Sequence, residues 1–232
     1  EGSCKAAYTD SDVTAGNTYS YQIVAVNPAV SSEEDAIALY EDSDKSESSN
    51  EVTIPIHVTG VTLNKTEAGL TILPEEEAPT VTLTAAIEPA AATVKDVTWT
   101  SDHTDVATVD DDGVVTAVAV GTATITATTK DEKSKASATC TITVTEKLAV
   151  PTVTAELAED ETAITVTVTG VEKADTYTLL KSVNNGAYEE VSEAALTNET
   201  LTYRDEDISA GSSYSYKVKA VSAAPEVYLT SE

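Results

Sequence analysis

Three consecutive carboxylates, Asp110, Asp111 and Asp112, stand directly before Gly113 and are the residues of this chain closest to a metal-binding pattern. Clustered aspartate oxygens suit a hard cation such as calcium, so Asp110, Asp111 and Asp112 are weak calcium candidates. The run lacks the twelve-residue ligand spacing of a helix–loop–helix calcium site, and the commoner use of such a run is a solvated turn. Glu51, Asp102 and Asp105 are further carboxylates that could meet at a module boundary. The two imidazoles, His57 and His103, are not paired at helical spacing around a glutamate, so the metallopeptidase pattern is absent. His57 falls near a domain start and His103 on the loop after Trp99, and both read as surface residues. No nucleophile elbow of the Gly-x-Ser-x-Gly type is present. Glycoside hydrolysis needs two carboxylates at a fixed separation in a cleft, and 40 acidic residues single out no pair. No residue is assigned to catalysis or to holding a cofactor, and the chain reads as a non-enzyme.

The elements around these residues are strands. Alternation of period two is plain in Val81-Thr82-Leu83-Thr84-Ala85, in Ala123-Thr124-Ile125-Thr126-Ala127, in Thr141-Ile142-Thr143-Val144 and in Ile164-Thr165-Val166-Thr167-Val168. Each run has one apolar face and one threonine face. Turn signals punctuate them at Ala15-Gly16, Asp111-Asp112-Gly113, Asn184-Asn185-Gly186 and Ala210-Gly211. Short strands at this spacing predict antiparallel β-sandwiches. Glu33 to Tyr40 has some helical character and is read as a loop. Cys140 lies within an alternating run and is expected to act as a small buried hydrophobe; a bridge to Cys4 is not expected, because the two fall in different modules.

The 232 residues carry a net charge of −27, shared almost evenly along the chain. Binding a phosphate backbone or an anionic lipid surface requires clustered Lys and Arg, and only 13 basic residues are present. Nucleic acid is therefore excluded as a natural partner. No run reaches the ~18 apolar residues of a membrane span, so membrane insertion of this segment is not expected. Uniform acidity serves solubility and mutual repulsion. The absence of Met and the opening Glu1-Gly2-Ser3 suggest an internal piece of a longer protein.

Tyr8 to Val26 reads YTDSDVTAGNTYSYQIVAV and Tyr203 to Val221 reads YRDEDISAGSSYSYKVKAV, ten identities in nineteen positions at an offset of 195 residues. The intervening sequence differs in character, so the repeating unit is a pair of modules. An acidic polar run at 41–50 precedes a strand ending at Pro55, and Thr145 to Pro151 joins one strand almost directly to the next module. Short joints restrict interdomain motion. The expectation is an all-β chain of tandem immunoglobulin-like sandwiches arranged as an elongated rod, divided at 1–55, 56–147 and 148–232.

The middle segment resembles the bacterial Ig-like domain of group 2. The resemblance rests on Val58-Thr59-Gly60-Val61-Thr62-Leu63-Asn64, Leu83-Thr84-Ala85 with Glu88-Pro89, and Val97-Thr98-Trp99-Thr100-Ser101-Asp102. It continues through Val106 to Asp110, Gly113 to Ala117 and Gly121 to Ala127. Trp99 is the one large aromatic available to that sandwich and is expected in its core, with Gly113 and Gly121 at sharp reversals. Residues 148–232 resemble a fibronectin type III domain, with Ile164 to Val171 and Tyr177 to Leu180 as early strands and Tyr214 in the place of the tyrosine corner. Val168 stands where that family often has tryptophan. Residues 1–55 resemble the second half of the same family, with Tyr19 in the corner place, and 148–232 stop before an evident final strand. Both ends are expected to cut through a module, completed by further sequence or by strands of a neighbouring chain.

These resemblances imply non-catalytic structural and adhesive modules of a secreted bacterial cell-surface protein, acting as a stalk or fibre shaft. The alternative they leave open is accessory spacer or carbohydrate-binding modules of a secreted polysaccharide-degrading enzyme. For carbohydrate binding, Tyr177, Tyr188 and Tyr228 are the available aromatics, with sheet packing as their plainer use. Implied partners are neighbouring modules of the same protein, surface or matrix polysaccharide, or a host surface protein. Some bacterial surface sandwiches form a Lys–Asn bond; Lys65 and Lys147 lie on terminal strands but lack an apolar setting. The sequons at Asn64 and Asn198 carry little force in a bacterial protein.

Overall fold

The computed structural model describes residues 7–26 and 43–231; Cys4 and the segment Glu33 to Tyr40 lie outside them. Every regular element among the described residues is a β-strand, and none is a helix able to cross a membrane. Most of the strands divide between two separate hydrophobic cores, one drawn from residues between Leu63 and Val144 and one between Leu148 and Tyr228.

In the first core, the strands Gly121–Thr129 and Ser137–Lys147 form an antiparallel hairpin with Ala123 opposite Ile142 and Ile125 opposite Cys140. Directly opposed residues share a face, so the apolar set of both strands points inward and Thr124, Thr126, Thr139 and Thr141 point outward. A slip of one residue would exchange the two sets and bury the threonines. Val97–Ser101 extends this sheet on one side and Glu67–Ile72 adds a parallel strand on the other. A second sheet of Thr80–Thr82, Val114–Ala117 and Ala107–Val109 closes the sandwich, with Leu83, Val115, Ile125 and Ile142 almost wholly buried between the layers. Gly60–Leu63 pairs with Ala85–Glu88 at the edge.

The second core lies between Val153–Leu157, Ile164–Val168 and Thr202–Asp205 on one side and the long pair Thr176–Val183 and Tyr214–Val221 on the other. Val166, Val168, Tyr177, Leu179, Val218 and Ala220 fill it. Val168, at the position expected for tryptophan, is buried as a small core residue. The turn after Thr176–Val183 is formed by Asn184-Asn185-Gly186, as expected. Asn184 and Asn185 take φ of 51° and 60°, while Gly186 closes the turn with its amide on the Val183 carbonyl. Two successive left-handed residues make a type I′ turn, whose twist matches that of the flanking strands. Asparagine tolerates that region better than most side chains.

In the first segment, Thr18–Tyr19 pairs with Val52–Thr53. Beyond these strands, the carbonyls of Tyr21, Ile23 and Ala25 accept the amides of Ser49, Ser46 and Ser43, so an irregular hairpin continues to Ala25.

Candidate functional site

The aspartate run is placed by the tight turn that leads into Val114–Ala117. Gly113 has φ of 79°, and a Cβ there would lie 2.5 Å from the Leu83 carbonyl oxygen. Only glycine satisfies both demands. The Asp110 carboxylate accepts the amides of Asp112 at 3.0 Å and Val114 at 2.8 Å, so it serves its own turn. Asp111 and Asp112 project into solvent. Among the described residues, no three His, Cys, Asp or Glu side chains converge as a metal site. Asp102 accepts the Thr124 amide at 2.6 Å and contacts the exposed His103, and the Thr124 amide leads the causes that hold its carboxyl below the usual range.

Trp99 is half-buried and packs on the first core, beside Gly113. Cys140 is fully buried opposite Ile125, and burial pushes its thiol above the ordinary cysteine value. Asn64 holds the Thr84 amide, and Asn198 bonds the Tyr177 hydroxyl and the Ala174 carbonyl, so both sequon asparagines act as internal braces. Of the three tyrosines, Tyr177 is buried, Tyr188 is partly exposed under the Lys217 ammonium, and Tyr228 is half-buried beneath Lys173. They lie in different settings and present no shared aromatic platform. Tyr214 forms the expected corner, its hydroxyl oxygen accepting the Ser209 amide at 2.7 Å; Tyr19 does the same with the Thr14 amide at 2.9 Å.

Two polar sites went unrecognised in the sequence. Asp131 is buried and accepts the Val58 amide at 2.9 Å and the Lys133 amide at 3.0 Å, with both carboxylate oxygens 3.0 Å from His57 Nδ1. The Val58 amide, then the Lys133 amide and His57, hold the carboxyl below its usual range against the opposing effect of burial. It ties the entry of the first sandwich to the loop before Ser137–Lys147. Asp205 is buried in the second sandwich, where it meets the Lys181 ammonium at 2.8 Å and accepts the Tyr216 hydroxyl at 2.5 Å. Burial and the neighbouring carboxylate push the Tyr216 phenol far above its ordinary value. An aspartate in an alternating apolar strand was the available signal, but its cation lies 24 residues away.

The joint between the sandwiches follows directly on one long strand. Ser137–Lys147 contributes Cys140, Ile142 and Val144 to the first core, and Leu148, immediately after it, enters the second. Tyr228–Leu229 forms a short terminal strand parallel to Glu146 and Lys147. Lys173 spans the same place, its ammonium 2.6 Å from Glu146 and 5.3 Å from the Tyr228 ring centre. Among the described residues, each buried side-chain nitrogen and oxygen has a hydrogen-bond partner.

No curated protein matches the chain. Among solved structures, titin domains align at 14% identity and a TM-score of 0.34, over 91% of this chain and 71% of that one. Fibronectin(III)-like modules of Clostridium thermocellum CbhA align at 14% identity and a TM-score of 0.26, over 69% and 84%. A calcium-stabilised adhesin with which an Antarctic bacterium binds ice aligns at 17% identity and a TM-score of 0.28, over 88% and 51%. A family model matches within the chain: that of the bacterial Ig-like domain (group 2), over residues 57–142.

Proposed function

We propose that this chain is a non-catalytic structural and adhesive segment of a secreted bacterial cell-surface protein, a piece of stalk or fibre shaft arranged as an elongated rod. The observation that carries this reading is the joint. A strand of the first core that leads directly to Leu148 of the second, with Tyr228–Leu229 paired along its end and Lys173 held on Glu146, leaves a short, hydrogen-bonded link between the sandwiches. A linker that short and hydrogen-bonded resists bending, which is what a spacer that holds a terminal domain away from a cell needs. The recurrence of 8–26 at 203–221 supports serial use of the same pair of modules. The even acidity, −27 overall, supports a role in which neighbouring shafts repel one another. Its partners are then adjacent modules of the same protein, with surface polysaccharide or a host protein met at the tip.

Small-angle X-ray scattering of the full chain tests the rod, and antibody labelling of intact cells of the source bacterium tests the location. A maximum dimension that stays constant when three glycines are inserted after Lys147 would contradict a stiff joint. Labelling only after lysis would contradict surface display. Retention on insoluble polysaccharide, with a catalytic domain in the same gene, would favour an accessory module of a secreted degradative enzyme.

A further inference from the structure

Seven asparagines occur in the chain, and Asn185 differs from the rest in two independent ways. It alone is followed by glycine. Asn17, Asn50, Asn64, Asn184 and Asn198 precede residues that carry a Cβ, and Asn27 precedes Pro28, which has no N–H. Asn185 is also the one asparagine among the described residues whose carboxamide makes no hydrogen bond. Asn17 donates to the Tyr19 hydroxyl and Asn50 to the Glu51 carbonyl. Asn64 and Asn184 accept the Thr84 and Ser213 amides, and Asn198 braces Tyr177 and Ala174. Asn185 stands exposed at the tip of its turn.

We propose that Asn185 is a self-modification site, converted without an enzyme to an aspartyl or isoaspartyl residue by its own neighbour. The Gly186 amide nitrogen, its proton given up to solvent base, adds to Asn185 Cγ. The Cγ–Nδ2 bond breaks and ammonia leaves with a proton from water, which closes a succinimide ring. Water then adds to one of the two ring carbonyls and breaks its bond to nitrogen. The sum is carboxamide plus water giving carboxylic acid plus ammonia, with no change of oxidation state. Glycine is the residue that permits the attack, because no Cβ crowds the nitrogen.

The folded turn holds this reaction back. The Gly186 amide donates to the Val183 carbonyl at 2.9 Å, so the nitrogen is engaged until the turn opens. Exposed turn tips open at low free-energy cost, so conversion is gated by the turn and not abolished. Its isoaspartyl product routes the backbone through the former side chain and lengthens the turn by one methylene. A two-residue turn with φ of 51° and 60° fixes the register of its strands and does not fit that longer backbone. The Asn184 amide on the Ser213 carbonyl at 2.8 Å and the Ser182 hydroxyl on the Gly186 carbonyl at 2.8 Å are the bonds it loosens.

The test incubates the full chain at mildly alkaline pH, folded or in urea, and digests samples with trypsin over time. Cleavage after Lys181 and Arg204 releases a peptide that carries Asn184, Asn185 and Asn198 together, so each asparagine is a control for the others. The expected result in the folded chain is the mass gain of amide-to-acid conversion, located by fragmentation at Asn185 before either of the others. Conversion should be faster in urea by at least about tenfold, since the turn is then open. Asn185→Gln should lose it. Amide hydrogen exchange at Asn184 and Gly186 should quicken by about tenfold or more in the isoaspartyl product. Asn185→Asp, which carries the charge on an unlengthened backbone, should keep the rates of the unaltered chain. Conversion at Asn184 or Asn198 ahead of Asn185 overturns the proposal. Equal rates in folded and unfolded chains overturn the gating by the turn, and unchanged exchange in the product overturns the loosened register.

Discussion

Lys181 Nζ lies 2.8 Å from Asp205 Oδ2, with the lysine side chain 12% and the aspartate side chain 2% exposed. The pair links the two sheets of the second sandwich, since Lys181 belongs to Thr176–Val183 and Asp205 to Thr202–Asp205. Removing one partner leaves a buried charge uncompensated, at a cost of about 3–5 kcal/mol. Lys181→Met is therefore expected to lower the unfolding free energy of the second sandwich, read from urea melts followed by circular dichroism, by that amount. The transition reported by Trp99, which lies in the other core, should stay in place. Lys181→Met with Asp205→Asn should cost less than the sum of the two single changes.

Gly113→Ala combines a backbone at φ of 79° with a Cβ 2.5 Å from the Leu83 carbonyl oxygen and 2.9 Å from the Trp99 ring. A loss of more than about 1 kcal/mol is expected, because strain at such a position exceeds the ordinary glycine-to-alanine effect. Trp99 fluorescence during guanidinium unfolding measures it directly. A gain in stability would refute the assigned turn geometry.

Asp131 gives the first sandwich an acid sensitivity of definite sign. Its folded carboxyl titrates below the usual range, chiefly through the Val58 amide. Its contribution is present above the ordinary carboxylate value and is lost as the pH falls through the lowered one. Asp131→Asn should melt at a lower temperature than the unaltered chain at neutral pH. The gap should narrow in acid, read by Trp99 fluorescence melts at pH 7 and pH 3. A gap independent of pH would contradict this.

Cys140 should resist thiol reagents in the folded chain and react rapidly after unfolding, since it is fully buried and its thiol is raised by burial. Measured on a Cys4→Ser variant, native labelling slower than unfolded labelling by on the order of 100-fold is expected. Equal rates would show that the strand Ser137–Lys147 opens freely.

Much of the architecture was legible in the residues because a threonine–apolar alternation states both the strand and its inward face. Ala123, Ile125 and Ala127 are buried where the pattern put them, and Tyr19 and Tyr214 form their corners. The turn glycines Gly16, Gly113 and Gly211 all take positive φ, since no other residue does so freely. Tertiary structure alone decided the long-range polar pairs. Nothing near Asp205 names Lys181 as its cation, and nothing near Asp131 names the Val58 amide, because those partners are set by how sheets stack and loops return. It also decided that the strand Ser137–Lys147 of the first core leads directly to Leu148 of the second, with Lys173 and Tyr228 gathered at its end, since period-two alternation carries no record of where one sandwich stops and the next begins.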